Sequence, residues 1–163
     1  MQYRAAIITA SDKSSAGERE DLSGPALEEL LIETGFAVVS RTVVPDEREM
    51  IAAALRELCD DKLADLILTT GGTGFSQRDV TPEATRNVIQ REAPGIPEAM
   101  RLESAKFTAN AMLSRAIAGI RGETLIINMP GSPRAARECF DIIRPALPHA
   151  MEILTGRGGE CAR

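Results

Sequence analysis

The sequence offers little aromatic or imidazole chemistry: one Tyr, four Phe, no Trp and a single His in 163 residues. The shortage of aromatics removes the stacking platform on which single-stranded nucleic acid is usually held. No Lys/Arg run forms a stripe for a phosphate backbone, and 24 acidic against 19 basic residues give a net charge of −5, so nucleic acid is not an expected partner. The lone His149 falls late in the last helical pattern, away from every strand end, which leaves nucleophilic triads and His-based zinc sites without support. The three cysteines, Cys59, Cys139 and Cys161, are odd in number, far apart and form no C-x-x-C pair, as expected of a reduced cytoplasm. Cys59 and Cys139 fall in helical patterns as small hydrophobes, and Cys161 in a polar Gly-rich tail. No apolar run approaches the roughly 20 residues of a membrane span. The start, MQYRAAIITASD, enters a strand-like run with neither the basic lead nor the small-residue cleavage site of a secretory signal. The expectation is a cytoplasmic protein with no membrane partner.

What is present is a 44% hydrophobic, aliphatic chain with the length of one domain. Residues 1–155 are expected to form that domain and 156–163 a flexible tail. Apolar runs over 4–10, 38–44, 65–70 and 124–129 read as strands. Between them, Ser23 with Pro25 opens a helix that Gly35 stops, and Asp46 with Glu49 in capping-box register opens a second. Thr81-Pro82-Glu83 opens a third, Pro97 a fourth reaching about Phe107, and Pro133 a last one that Pro145 and Pro148 should kink. Residues 13–21 read as a mobile loop, and 112–129 as two β-like runs around Arg121-Gly122-Glu123, a hairpin. This alternation predicts an α/β fold of three layers: a mostly parallel sheet with helices on both faces and a small β-hairpin.

Each of the four strands runs directly into a short polar or Gly-rich segment: Ser11-Asp12, Pro45-Asp46, Gly71-Gly72-Thr73-Gly74 and Pro130-Gly131-Ser132-Pro133. Ligands of open α/β sheets sit outside the carboxyl ends of the strands, so these segments predict one site. Thr69-Thr70-Gly71-Gly72-Thr73-Gly74 offers successive unobstructed amides for an anion, but lacks the Lys of a Walker loop and fails the last position of a dinucleotide fingerprint. A tight turn needing positive φ is the competing reading. Asp46 stands either as a helix N-cap or as a ligand. Asp79 is left without a helical role if Thr81 caps its helix. Two carboxylates beside a phosphate nest suit Mg²⁺ held between nucleotide phosphates, since that ion takes only one or two protein carboxylates. Asp12 is a third candidate or an Asx turn. Ser132 and Pro133 suit the N-cap and first position of a helix whose amides face the crevice. Ser114-Arg115 supply a hydroxyl and a cation to the site or form a solvated edge.

TTGGTG followed by RDVTPEAT, then PG, then MLSRAIAGIRG-TLIINMPGSP, resembles the molybdopterin-binding fold of the MogA/MoaB family over essentially the whole chain. The similarity is greatest to the molybdopterin adenylyltransferase branch, because the RDVTPEA pattern that MoaB-type relatives tend to lose is intact; Ser132 stands where such relatives often carry Asn or Gln. The resemblance implies adenylyl transfer from MgATP to the phosphate of molybdopterin, with pyrophosphate released. It implies Asp46 and Asp79 as the essential acidic residues and metal ligands. Ser11, Asp12, Thr70, Gly71, Gly72, Thr73, Gly74, Ser114 and Arg115 would then serve molybdopterin and its phosphate, and Pro130, Gly131, Ser132 and Pro133 the nucleotide. It further implies a homotrimer and a molybdenum-insertion protein as a downstream partner. A pterin carrier without transfer activity, or an assembly scaffold, would share the same glycine loop and PGSP segment.

Overall fold

The computed structural model describes residues 2–157. Cys161 and most of the expected tail lie outside the described residues. Six strands form one sheet: β1 (Arg4–Ala10), β2 (Ala37–Val44), β3 (Leu66–Thr70), β4 (Arg91–Glu92), β5 (Ala118–Arg121) and β6 (Thr124–Met129), in the order β2-β1-β3-β6-β5-β4. The first four in that order are parallel, and β5 and β4 add antiparallel at one edge. β1, β3 and β6 are almost wholly buried because helices cover both faces. Their side chains alternate accordingly: Ile7, Leu68 and Ile127 enter one core, Ile8, Ile67 and Ile126 the other.

The helices are α1 (Asp12–Ser15), α2 (Ser23–Glu33), α3 (Arg48–Asp60), α4 (Thr81–Arg86), α5 (Gly95–Ser104), α6 (Pro133–Ile143) and α7 (Leu147–Thr155). Residues of α2, α5, α6 and α7 close the first core around Leu27, Leu31 and Phe140; α3 and α4 close the second through Ile51, Leu55 and Ala84. β1 therefore has its next strand β2 on one side, reached through α2, and β3 on the other, reached through α3. The strand order reverses there, and a crevice opens at such a switch point.

The three-layer fold, the hairpin of β5 and β6, the stop at Gly35 and the break of the last helix are as expected; Arg144–Ala146 form a 3-10 turn between α6 and α7. Several local readings are corrected. The 13–21 loop begins as the short α1, because the Ser11 hydroxyl accepts from the Ser14 N–H at 3.1 Å. Ser23 is the first residue of α2 rather than its cap: Leu22 precedes it without a side-chain cap, and Asp21 accepts from the Gly24 N–H at 3.0 Å. The α3 helix starts at Arg48, past Asp46, and α5 spans Gly95–Ser104 rather than starting at Pro97. A 3-10 turn, Ala109–Leu113, replaces the start of the first β-like run, and the edge strand β4 went unanticipated. Cys59 and Cys139 are buried free thiols; burial pushes the Cys59 thiol up to about 11.

One buried charge ties the far end of the sheet. Asp65, with its side chain 4% exposed, accepts from the Arg4 backbone N–H at 2.8 Å and from the guanidinium groups of Arg4 and Arg157. Burial alone would raise its pKa, but the hydrogen bonds from Arg4 and then Arg157 hold it below the usual carboxylate range. Its stabilising contribution is therefore complete above the unfolded value and is lost as pH falls through the depressed folded value. Asp65→Asn is expected to lower stability at neutral pH by about 2 kcal/mol and to flatten the acid limb of a Tm-versus-pH curve. An unchanged neutral Tm would show that the cluster contributes nothing.

Candidate active site

The parallel register sets the ends of the strands side by side: Ala10 opposite Val44, Thr9 opposite Thr70, and Thr70 opposite Met129. The segments that follow meet in a cleft of about 520 Å³ lined by Ser11, Asp46, Thr70, Gly71, Gly72, Asp79, Gly131, Ser132 and Pro133, with Arg19 and Asp21 at its side. A second cleft, about 470 Å³ and more apolar, is lined by Thr73, Gly74, Phe75, Met100, Ser114 and Cys139 among others. The glycine loop is the wall between them, with Gly71 and Gly72 facing the first cleft and Thr73 and Gly74 the second.

Asp12 and Asp46 are joined reciprocally. The Asp12 N–H donates to Asp46 Oδ2, and the Asp46 N–H to Asp12 Oδ1, both at 2.9 Å. Asp46 thus caps no helix; its carboxylate ties the end of β2 to the end of β1. The Asp12 carboxylate also receives Nε and Nη2 of Arg78 at 2.9 and 3.0 Å, and Arg78 reaches Glu47 at 2.8 Å. The Arg78 bonds hold the Asp12 carboxyl below its ordinary value. Asp12 is consequently a brace whose charge is already matched.

Asp46 differs. Its Oδ1 is buried without a hydrogen-bond partner, as is the Thr81 hydroxyl. Burial, foremost, raises the Asp46 pKa, with the nearby Asp12 and Asp79 charges acting in the same direction against the Asp12 N–H and Arg78. Thr81 does not cap α4: it is the first residue of that helix, and Val80 precedes it without a side-chain cap. Asp79 has a local role, its Oδ2 accepting from the Ser76 N–H at 3.0 Å. An orphaned carboxylate oxygen at the wall of a polar cleft, with a second carboxylate close enough to repel it, fits a cation held by one or two protein oxygens. Among the described residues no group of three or more His, Cys, Asp and Glu side chains converges as a protein-only metal cage would need.

The glycines also have structural reasons. Gly71 and Gly72 have φ of +92° and +67°. A Cβ on Gly72 would lie 2.3 Å from Thr81 Oγ1 and 3.2 Å from Asp46 Oδ1, and one on Gly74 would lie 2.9 Å from Asp79 Oδ2. Turn chemistry and packing against the two aspartates therefore account for all three. Thr70 donates its hydroxyl to the Pro130 carbonyl at 2.7 Å, joining the glycine loop to the PGSP segment. Ser132 caps α6 as expected, accepting from the Ala135 N–H at 3.1 Å, with Pro133 in the first turn.

Ser114 lies in the second cleft, its Oγ accepting from the Ala116 N–H at 3.3 Å. Arg115 lines neither cleft: Nε and Nη2 donate to the carbonyls of Gly74 and Asp79 at 2.8 and 2.7 Å, and Nη1 pairs with Glu83. Arg78 and Asp21 are given no role by the sequence, and Thr81 reads there only as a cap. Asp21 carried a signal, an Asp just before a helix start.

Known proteins resemble this chain over most of its length. Residues 6–149 match the family described as "Probable molybdopterin binding domain". A Helicobacter pylori protein named molybdopterin adenylyltransferase is 45% identical over 92% of this chain and 86% of its own length. The Escherichia coli K12 protein of that name is 39% identical over 94% and 86%. Among solved structures, the molybdopterin biosynthesis enzyme MoaB from Thermus thermophilus superposes with a TM-score of 0.90 at 49% identity, covering 95% of this chain and 98% of that one. MogA superposes at 0.88 and 36% identity, covering 93% and 99%.

Because Asp46 is raised, its ionisation in metal-free buffer opposes folding: stability falls as pH rises from the unfolded value of 3.8 through the folded one. Asp46→Asn removes that loss and keeps an acceptor for the Asp12 N–H. Its Tm at neutral pH in EDTA should equal or exceed wild type, and a clear fall would contradict the orphaned oxygen. Matched by the family model over residues 6–149 and similar over nearly its whole length to proteins named for molybdopterin, the chain belongs to the molybdopterin-binding domain family.

Proposed function

We propose that the chain is a molybdopterin adenylyltransferase acting in molybdenum cofactor biosynthesis. The molybdopterin phosphate attacks the α-phosphorus of ATP; the bond from that phosphorus to the bridging oxygen of the β-phosphate breaks, and pyrophosphate leaves as adenylylated molybdopterin forms. The observation that carries the reading is the buried, unpartnered Asp46 Oδ1 beside Gly72, in a chain similar over nearly its whole length to proteins named for this transfer.

The nucleophile is a phosphate monoester already ionised near neutrality, so no general base is required, in keeping with a site that has no imidazole among its lining residues. Alignment and charge neutralisation remain as the sources of rate. The glycine-loop amides and the start of α6 receive phosphate oxygens, while Ser11 and Ser132 add hydroxyls at the cleft wall. Asp46 and Asp79 would hold Mg²⁺, which when bound offsets the repulsion between two anionic reactants in an acidic protein. The second cleft, with Phe75, Met100 and Ser114, has the apolar lining suited to a flat heterocycle.

Assembly as a homotrimer belongs to the same reading. Phe107 and Met112, exposed at 83% and 70%, adjoin lining residues of the second cleft in sequence without lining it and favour a subunit contact beside it. Light scattering in dilute buffer should return a trimer mass that Phe107→Asp lowers; a monomer mass for the intact protein would end this part of the proposal.

Purified protein, molybdopterin and MgATP should release pyrophosphate. Asp46→Asn and Asp79→Asn should each lose at least about a hundredfold in transfer while binding molybdopterin within about threefold of wild type, since the lost interaction belongs to the transition state. Retained pterin binding with no pyrophosphate from the wild-type protein would favour a carrier instead.

A further inference from the structure

We propose that Arg115 is the positioning residue of this site: its guanidinium clasps both ends of the 74–79 loop and thereby sets where the Asp79 carboxylate stands. The catalytic consequence rests on the transfer reading above; the clasp itself rests on geometry.

The 74–79 segment contains no helix or strand, so its shape depends on side chains. Arg115 supplies them from 36 to 41 residues away in the chain. Its own backbone is fixed first, the N–H donating to the Thr73 carbonyl at 2.9 Å. From that anchor Nε takes the Gly74 carbonyl at 2.8 Å and Nη2 the Asp79 carbonyl at 2.7 Å. The two ends of the loop are thus drawn onto one planar fork, which a guanidinium provides and an ammonium does not. Inside the loop the Ser76 N–H meets Asp79 Oδ2, and the Asp79 N–H meets the Ser76 carbonyl, each at 3.0 Å. Arg115 thus closes the loop from its two ends, while Arg78 within it ties it to Asp12 and Glu47, and the carboxylate orientation follows from that closure.

Glu83 holds the fork in place. It stands in the first turn of α4 and pairs with Nη1. Burial pushes its carboxyl up, yet the Arg115 hydrogen bond brings it below the ordinary value. Neither Arg115 nor Glu83 lines either of the two clefts, and the guanidinium is committed to two carbonyls and a carboxylate rather than offered to an anionic ligand there. Gly74 belongs to the same device: any Cβ there would meet Asp79 Oδ2 at 2.9 Å.

Arg115→Lys separates the readings, because it keeps the charge and loses the fork. A clasp predicts amide hydrogen exchange over 75–80 at least about tenfold faster, kcat down about a hundredfold through a misplaced carboxylate, and KM for molybdopterin within about threefold of wild type. A raised KM with unchanged kcat, or unchanged exchange, would overturn the proposal and make Arg115 a substrate ligand or a bystander. If circular dichroism finds Arg115→Lys unfolded, Glu83→Gln carries the test, with the same pattern at smaller amplitude expected and unchanged exchange again overturning it. Should the wild-type protein release no pyrophosphate, the transfer reading fails while the exchange measurement still decides the clasp.

Discussion

The reciprocal pair between Asp12 and Asp46 is the constraint on which the site depends. Each aspartate gives its backbone N–H to the other's carboxylate, so the chain leaving β1 and the chain leaving β2 are held at one fixed separation. That arrangement occupies Asp46 Oδ2 and turns Oδ1 under the glycine loop, where burial leaves it without a partner. An uncompensated buried carboxylate oxygen costs folding free energy, and the nearby Asp79 adds to the cost. The protein keeps a small electrostatic deficit at the wall of its polar cleft, and a cation is the simplest species that removes it.

The surroundings divide into residues that meet the ligand and residues that hold those in place. Asp12, Arg78 and Glu47 form an outer brace, and Arg115 with Glu83 an inner one; both grip the loop that carries Asp79. Thr70 fastens the glycine loop to the PGSP segment, joining the end of β3 to the end of β6. Such a framework suits phosphoryl chemistry, where alignment and charge supply the rate and little proton transfer is needed.

Much of this was legible in the sequence. β1, β3 and β6 announced themselves because strands covered on both faces read as unbroken apolar runs, and Ser132-Pro133 gave the start of α6 because its cap is local. Segments governed by distant partners were misread. The cap alternative for Asp46 fails because its actual partner, Asp12, is 34 positions away; Thr81 reads as a cap because nothing in the sequence says that its hydroxyl lies buried beside Gly72. Arg78 reaches a carboxylate 66 positions away, and no local pattern distinguishes it from a solvated Arg. Arg115 reads in the sequence as a cation for the site or a solvated edge, whereas its contacts are two loop carbonyls and the Glu83 carboxylate. The resemblance to a known family carried the site reading further than composition and spacing did, and the structure supplies physical roles for residues that motif matching only marks.

The account stands on Asp46 Oδ1 as a cation ligand, and the direct measurement is an anomalous diffraction map from crystals grown with Mn²⁺ and a non-hydrolysable ATP analogue. The predicted result is a metal peak contacting Asp46 Oδ1, with Asp79 as the second protein oxygen and nucleotide phosphate opposite. A nucleotide bound in the cleft with its metal away from Asp46, and Oδ1 still without a partner, would contradict it.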